Sequence, residues 1–138
     1  MYIQSYDFVL IDNFPAHSGT SSCLLLFSPP TSTSAAFGST LTYTPPLNTT
    51  PGQKYIISFF YTRNTFSSTS TGPLFSVFWN NQNVLDVLQV GTDISFQYLH
   101  AQVEVTATGS NDILFFKNGV SFAHAVYLDD IAVFKKWL

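Results

Sequence analysis

The 138 residues are enough for one domain, residues 1–138, with one hydrophobic core. Hydrophobic residues make up 46% of the chain and charged residues only 9%, against about 25% charged in an ordinary soluble domain, so the surface is polar but nearly uncharged. Five Lys and Arg scattered along a chain of net charge −3 form no basic stripe for a phosphate backbone, which argues against nucleic acid as a partner.

Membrane insertion is equally unsupported. The longest apolar runs, such as Cys23 to Phe27, fall far short of the roughly 20 residues of a spanning helix, and the N-terminus lacks the basic start and apolar block of a signal peptide. Cys23 is the single cysteine, which excludes an internal disulfide and any cysteine-based zinc site. Its apolar neighbours make it a buried, inert thiol.

Fourteen Phe and seven Tyr, with abundant Val, Ile and Thr, suit pleated, half-buried surfaces. In chain order the pattern predicts strands at Tyr2–Ile11, Ser22–Phe27, Ser39–Tyr43, Lys54–Thr62, Leu74–Asn80, Val84–Leu88, Phe96–Val105, Asp112–Lys117 and Val126–Phe134. Turn-forming segments such as "DNFPAHSG", "TPPLNTTPGQ", "NNQN" and "ATGSND" separate them. No stretch combines helical periodicity with a cap. The expected fold is therefore all-β, an antiparallel sandwich of eight or nine strands.

Alternation is cleanest in "HAQVEVTAT", where Ala101, Val103 and Val105 face the core while Gln102, Glu104 and Thr106 face water. The strand from Lys54 is apolar on both faces: Tyr55, Ile57, Phe59 and Tyr61 on one, Ile56 and Phe60 on the other. Such a strand is either central and covered on both sides, or offers Phe60 to a partner. In "LFSVFWNN" the residues Phe75, Val77 and Trp79 can fill the core while Ser76, Phe78 and Asn80 point outward. The expectation is that Phe60 and Phe78 share one outer face.

The segments "PAHSG", "TPGQKYIISFFYTRN", "FSVFWNNQNVLDV" and "VTATGSNDILFFKN" followed by "YLDDIAVF" together resemble the galactose-binding-like jelly roll of carbohydrate-binding modules. The resemblance covers about Pro15 to Phe134 and implies a jelly-roll sandwich. It is specific for the fold and poor for the ligand, because related jelly rolls bind sugars, bind proteins or build surfaces. Two departures stand out. Domains of this type usually begin with one more strand, which pairs beside the closing strand and often supplies a calcium ligand, whereas "MYIQSYDF" looks like the strand after it. Their sugar-binding members usually display Trp or Tyr with polar partners, where this chain has mostly Phe.

Catalysis needs positioned acids, bases or nucleophiles, and the chain is poor in them. Glu104 is the only Glu and sits on the wet face of its strand, and no G-x-S-x-G elbow occurs. No enzyme is expected. His17, His100 and His124 lie on separate segments without ligand spacing. Asp129 and Asp130 interrupt the alternation of the last strand, so they must be hydrogen-bonded or hold a cation. By the resemblance one of them could join a structural calcium site; otherwise no cofactor is implied.

Two functions follow from these residues. One is a non-catalytic carbohydrate-binding-like module for surface recognition or attachment, contacting a glycan through Phe60, Phe78, Asn80 and Gln102. The other is a structural subunit of a virion, fibre or surface layer, such as a coat, minor capsid or decoration protein. It would join other protein subunits through the open edge of Val126–Phe134 and the tail residues Trp137 and Leu138. Either suits an extracellular, virion or cell-surface setting.

Overall fold

A computed structural model describes residues 9–12, 22–26, 40–43, 45–65, 73–88, 97–118 and 124–137. They form β1 (Val9–Asp12), β2 (Ser22–Leu26), β3 (Thr40–Thr42), β4 (Leu47–Asn48), β5 (Lys54–Thr65), β6 (Pro73–Trp79), β7 (Gln82–Leu88), β8 (Leu99–Thr106), β9 (Asn111–Asp112), β10 (Leu114–Asn118) and β11 (His124–Lys135). Nine of these hold three residues or more, and they fall on the nine runs expected from composition. Only the two-residue pair β4–β9 carries no pattern that a sequence could show. No helix occurs among the described residues.

Every pairing is antiparallel. A five-stranded sheet runs β1-β2-β11-β5-β8, a four-stranded sheet runs β3-β10-β6-β7, and β4 pairs with β9 apart from both. The chain is thus an all-β jelly-roll sandwich. Local chemistry fixes the turns. Gln53 N–H bonds the Thr50 carbonyl at 3.0 Å around Pro51-Gly52, with Gly52 at φ 78°, the geometry of a type II turn that favours Pro then Gly. Asn80 and Asn81, at φ 51° and 65°, close the β6–β7 hairpin as a type I′ turn, which Asn tolerates best after Gly.

The closing strand corrects one expectation. From Ala125 to Leu128 it is not an open edge, because β2 pairs with it there while β5 pairs along its other side; from Asp129 to Lys135 β5 is its one strand partner among the described residues. The edges of this sheet are β1 and β8.

One face of each sheet is turned into the core. Ile57 and Phe59 of β5, Phe75 and Val77 of β6, Phe116 of β10 and Val126 and Leu128 of β11 are buried. Phe59 bridges the sheets, with its ring centroid 5.7 Å from Phe75 and 5.2 Å from Phe116, both edge-on. Tyr61 stands edge-on to Phe75 at 5.4 Å. Edge-to-face pairs add about 0.5–1.5 kcal/mol each to what burial contributes. Because Phe59 is fully buried and touches the opposite sheet, Phe59→Ala should destabilise the fold by about 3–5 kcal/mol in urea unfolding. A loss below 1 kcal/mol would mean that the cluster does not hold the two sheets together.

Candidate functional site

In an antiparallel sheet, residues paired directly across share a face, so the registers define both outer surfaces. On the five-stranded sheet one row reads Asp129–Phe60–His100, the next Ala132–Ser58–Gln102, and the third Phe134–Ile56–Glu104. Phe60 is half-buried, while His100 and Gln102 are exposed. The Phe60 and His100 rings lie 4.9 Å apart at 44°. His100 Nε2 and Ser58 Oγ share a 2.7 Å hydrogen bond, which fixes the imidazole beside the phenyl ring. The third row ends in an ion-pair cluster: Glu104 contacts Lys136 at 2.5 Å and Lys54 at 2.6 Å. Hydrogen bonds from Lys136 and then Lys54 bring its carboxyl down to about 2.

Asp129 and Asp130 belong to a bulge in the same sheet. The β11 register jumps from Asp129, opposite Phe60, to Ala132, opposite Ser58, so β11 carries one extra residue there. Asp130 adopts φ 48°, Ile131 packs against the core, and Asp129 Oδ1 accepts the Asp130 N–H at 2.8 Å. The bulge explains the broken alternation. Among the described residues no three or more His, Cys, Asp or Glu side chains are grouped to hold a metal ion.

The outer surface of the four-stranded sheet is different. Its rows read Thr42–Phe115–Phe78–Asn83 and Thr40–Lys117–Ser76–Asp86. Phe78 and Phe115, both half-buried, stack 4.6 Å apart with planes 4° from parallel. Asp86 Oδ1 accepts bonds from Ser76 Oγ at 2.5 Å and Asn83 Nδ2 at 2.7 Å. Those two bonds, Ser76's the stronger, hold the Asp86 carboxyl below its ordinary range.

The four expected glycan contacts are therefore not one site. Phe60 and Gln102 lie on the outer face of the five-stranded sheet, whereas Phe78 lies on the outer face of the other sheet, with the core between them. Each points outward as alternation requires, but the outer faces of a sandwich look in opposite directions. Asn80 is committed to the fold. Its Nδ2 donates to Thr108 Oγ1 at 2.8 Å and to Asp112 Oδ1, and its Oδ1 accepts the Ile113 N–H at 2.8 Å. Sequence reasoning missed His100, Asp86 and Lys117 as surface partners. Only the register says what stands beside each of them.

Asp112 anchors that end of the sandwich. It is 1% exposed and accepts bonds from Thr49 Oγ1 at 2.5 Å, Thr108 Oγ1 at 3.0 Å, Thr108 N–H at 3.3 Å and Asn80 Nδ2. Burial, the largest single influence, pushes its carboxyl up, yet the hydrogen bonds from Thr49, Asn80 and Thr108 together hold it below the ordinary value. At the C-terminus Lys136 N–H continues the ladder to the Lys54 carbonyl at 2.9 Å. Trp137 beyond it is 79% exposed, with Lys135 Nζ 4.9 Å from its ring centroid. Leu138 lies outside the described residues, as does His17.

No known family matches the sequence, and no curated protein matches it. Solved structures do. The C-terminal domain of EclA, a sugar-binding protein, aligns at a TM-score of 0.57 and 16% identity over 94% of this chain and 84% of that one. The xylan-binding domain CBM22-1 of Paenibacillus barcinonensis Xyn10C aligns at 0.57 and 13% identity over 97% of this chain and 84% of that one. The chain has the fold of carbohydrate-binding modules.

The Asp112 network makes acid stability testable. A buried carboxyl with a lowered pKa stays charged in the folded chain at a pH where the unfolded chain has already taken up a proton. Its contribution is complete above about pH 5 and is lost as pH falls through the unfolded value, near 3.9, towards the folded one. Asp112→Asn should cost about 1–3 kcal/mol at pH 7 by leaving the Thr49 and Thr108 donors poorly matched. It should also flatten the fall in urea midpoint between pH 5 and pH 3. Asp86 and Glu104 keep part of that slope. An unchanged slope in the variant would show that Asp112 is not held ionised by these bonds.

Proposed function

We propose that this chain is a non-catalytic carbohydrate-binding module, acting in surface recognition or attachment, with its glycan seated at Phe60, His100 and Gln102. The observation that carries the reading is the half-buried Phe60 ring held beside a His100 imidazole that Ser58 fixes in place, with Gln102 exposed in the adjoining row. A sugar ring presents an apolar C–H face and a rim of hydroxyls. It is matched by an aromatic surface with polar side chains positioned before it arrives. The fold shared with a sugar-binding protein and a xylan-binding domain supports the same ligand class. Catalysis is not part of the proposal. The one Glu on this face is ion-paired with a carboxyl near 2, so at neutral pH it cannot act as a general acid.

Soluble xylan and a broad glycan array are the first probes. Phe60→Ala should abolish binding while shifting the melting temperature by only a few degrees, since the ring is half-exposed. His100→Ala and Gln102→Ala should each weaken binding without removing it. No binding by the unaltered protein across the array, or unchanged binding by Phe60→Ala, would defeat the proposal.

A second reading, a structural subunit of a virion, fibre or surface layer, is favoured by one observation. A terminal Trp137 that is 79% exposed has the composition of a docking anchor. Removing Trp137 and Leu138 should then leave a folded monomer with weakened self-association in sedimentation runs. A full-length protein that stays monomeric at millimolar concentration would exclude this reading.

A further inference from the structure

The four-stranded sheet carries a surface that the proposed function leaves unused. Its two half-buried rings, Phe78 and Phe115, are neighbours on β6 and β10, stacked at 4.6 Å and 4°. Parallel rings on adjacent strands cover one face of each other, so the pair stands on the sheet as one apolar block. Beside them stands a carboxylate already oriented. Ser76 and Asn83 both donate to Asp86 Oδ1, so Oδ2 remains for a further donor and the Asn83 carbonyl for another. Lys117, exposed, lies on the other side of Ser76 in the same row.

We infer that the outer face of the four-stranded sheet is a second sugar-contacting surface. It takes the C–H face of a neutral sugar residue against the exposed side of the Phe78–Phe115 block and its hydroxyls at Asp86, Asn83 and Lys117. The inference rests on the proposed function for the class of ligand, but not for its place. Protein partners fit this face less well. The central area of a protein interface is depleted of charge, whereas here a carboxylate, an ammonium and an amide flank the two rings. A hydroxyl-rich ligand uses all three. Asp86 is suited to it because its two fixed bonds come from neutral donors, so its charge stays available to a sugar O–H, and hydrogen bonds to charged groups are the stronger kind.

The two sheets are about 10 Å apart across the core, as stacked sheets are, and their outer faces look away from each other, so one sugar residue cannot touch both. Two occupied faces hold two chains. The unaltered protein should therefore cross-link a soluble polysaccharide that each single-face variant binds without cross-linking.

Amide NMR of the full chain, titrated separately with xylohexaose and a galacto-oligosaccharide to millimolar concentration, tests this directly. Signals of Phe78, Asn83, Asp86 and Phe115 should move and saturate, independently of those near Phe60 and Gln102. Phe115→Ala should erase the first set alone. Asp86→Asn, at an exposed position, should weaken that set roughly tenfold or more while the other amide signals keep their folded positions. Movement confined to the Phe60 face overturns the inference and leaves the proposed function standing. Movement confined to the Phe78 face does the reverse, keeping the inference while removing the proposed place of binding. Silence at both faces overturns the inference. Shifts at Phe78 and Phe115 that depend on protein concentration without sugar would mark a self-association surface and also overturn the inference.

Discussion

Everything that this molecule presents to its surroundings follows from the edge-on contact of Phe59 with Phe75 and Phe116. These rings come from opposite sheets, and burying them sets the phase of β5, β6 and β10 at once. With a side-chain period of two, Phe59 inward puts Phe60 outward, Phe116 inward puts Phe115 outward, and Val77 and Trp79 inward put Phe78 outward. A slip of one residue in any of these strands would exchange a core ring for a surface ring. The outer rings therefore sit on the most firmly registered strands of the fold. That is the rigid support a recognition surface requires.

The low charge of the chain is visible again in its electrostatics. Two carboxylates are held ionised by neutral donors alone, Asp112 by Thr49, Thr108 and Asn80, and Asp86 by Ser76 and Asn83. Glu104 is the contrasting case, with two ammonium groups at the surface. Neutral donors solve a problem that cations would worsen at Asp112, where an ion pair taken out of water costs more than it returns unless its geometry is excellent. They also leave the carboxylate's charge uncancelled, which at the exposed Asp86 keeps it available as an acceptor.

Much of this was legible beforehand. Nine strands, the antiparallel sandwich, the inward and outward residues of β8 and β6, and the buried Phe59 all follow from period-two patterning and turn chemistry. What was not legible is pairing order. Alternation tells which residues share a face of one strand; it does not say which strand lies beside it, because backbone ladder bonds are alike in every strand. Hence Phe60 and Phe78 looked like neighbours and stand on opposite surfaces, β11 looked like an edge along its length and has strands on both sides from Ala125 to Leu128, and His100 gave no sign of meeting Phe60. Asn80 misled for another reason. A turn Asn with outward geometry reads as an available amide, and only the fold brings Asp112 and Thr108 to it across 32 and 28 residues of chain. The Asp129-Asp130 pair was legible as an interruption, and the bulge is what an interruption of alternation becomes in three dimensions.

A nearly uncharged surface also bears on how strongly either face could hold a ligand. Long-range attraction contributes little at a net charge of −3, so complex formation with a neutral sugar depends on contact alone and responds weakly to salt. Contact with one or two rings and a few hydrogen bonds supports only modest affinity once lost motion and desolvation are subtracted. A single sandwich compensates if both outer faces engage one polysaccharide matrix, because the second contact then forms at the high local concentration that the first creates. Placing half-buried rings on both sides of one core, as consecutive aromatic pairs do here, gives that arrangement without a second domain. The same phase that builds the core thus determines how many chains the surface can hold.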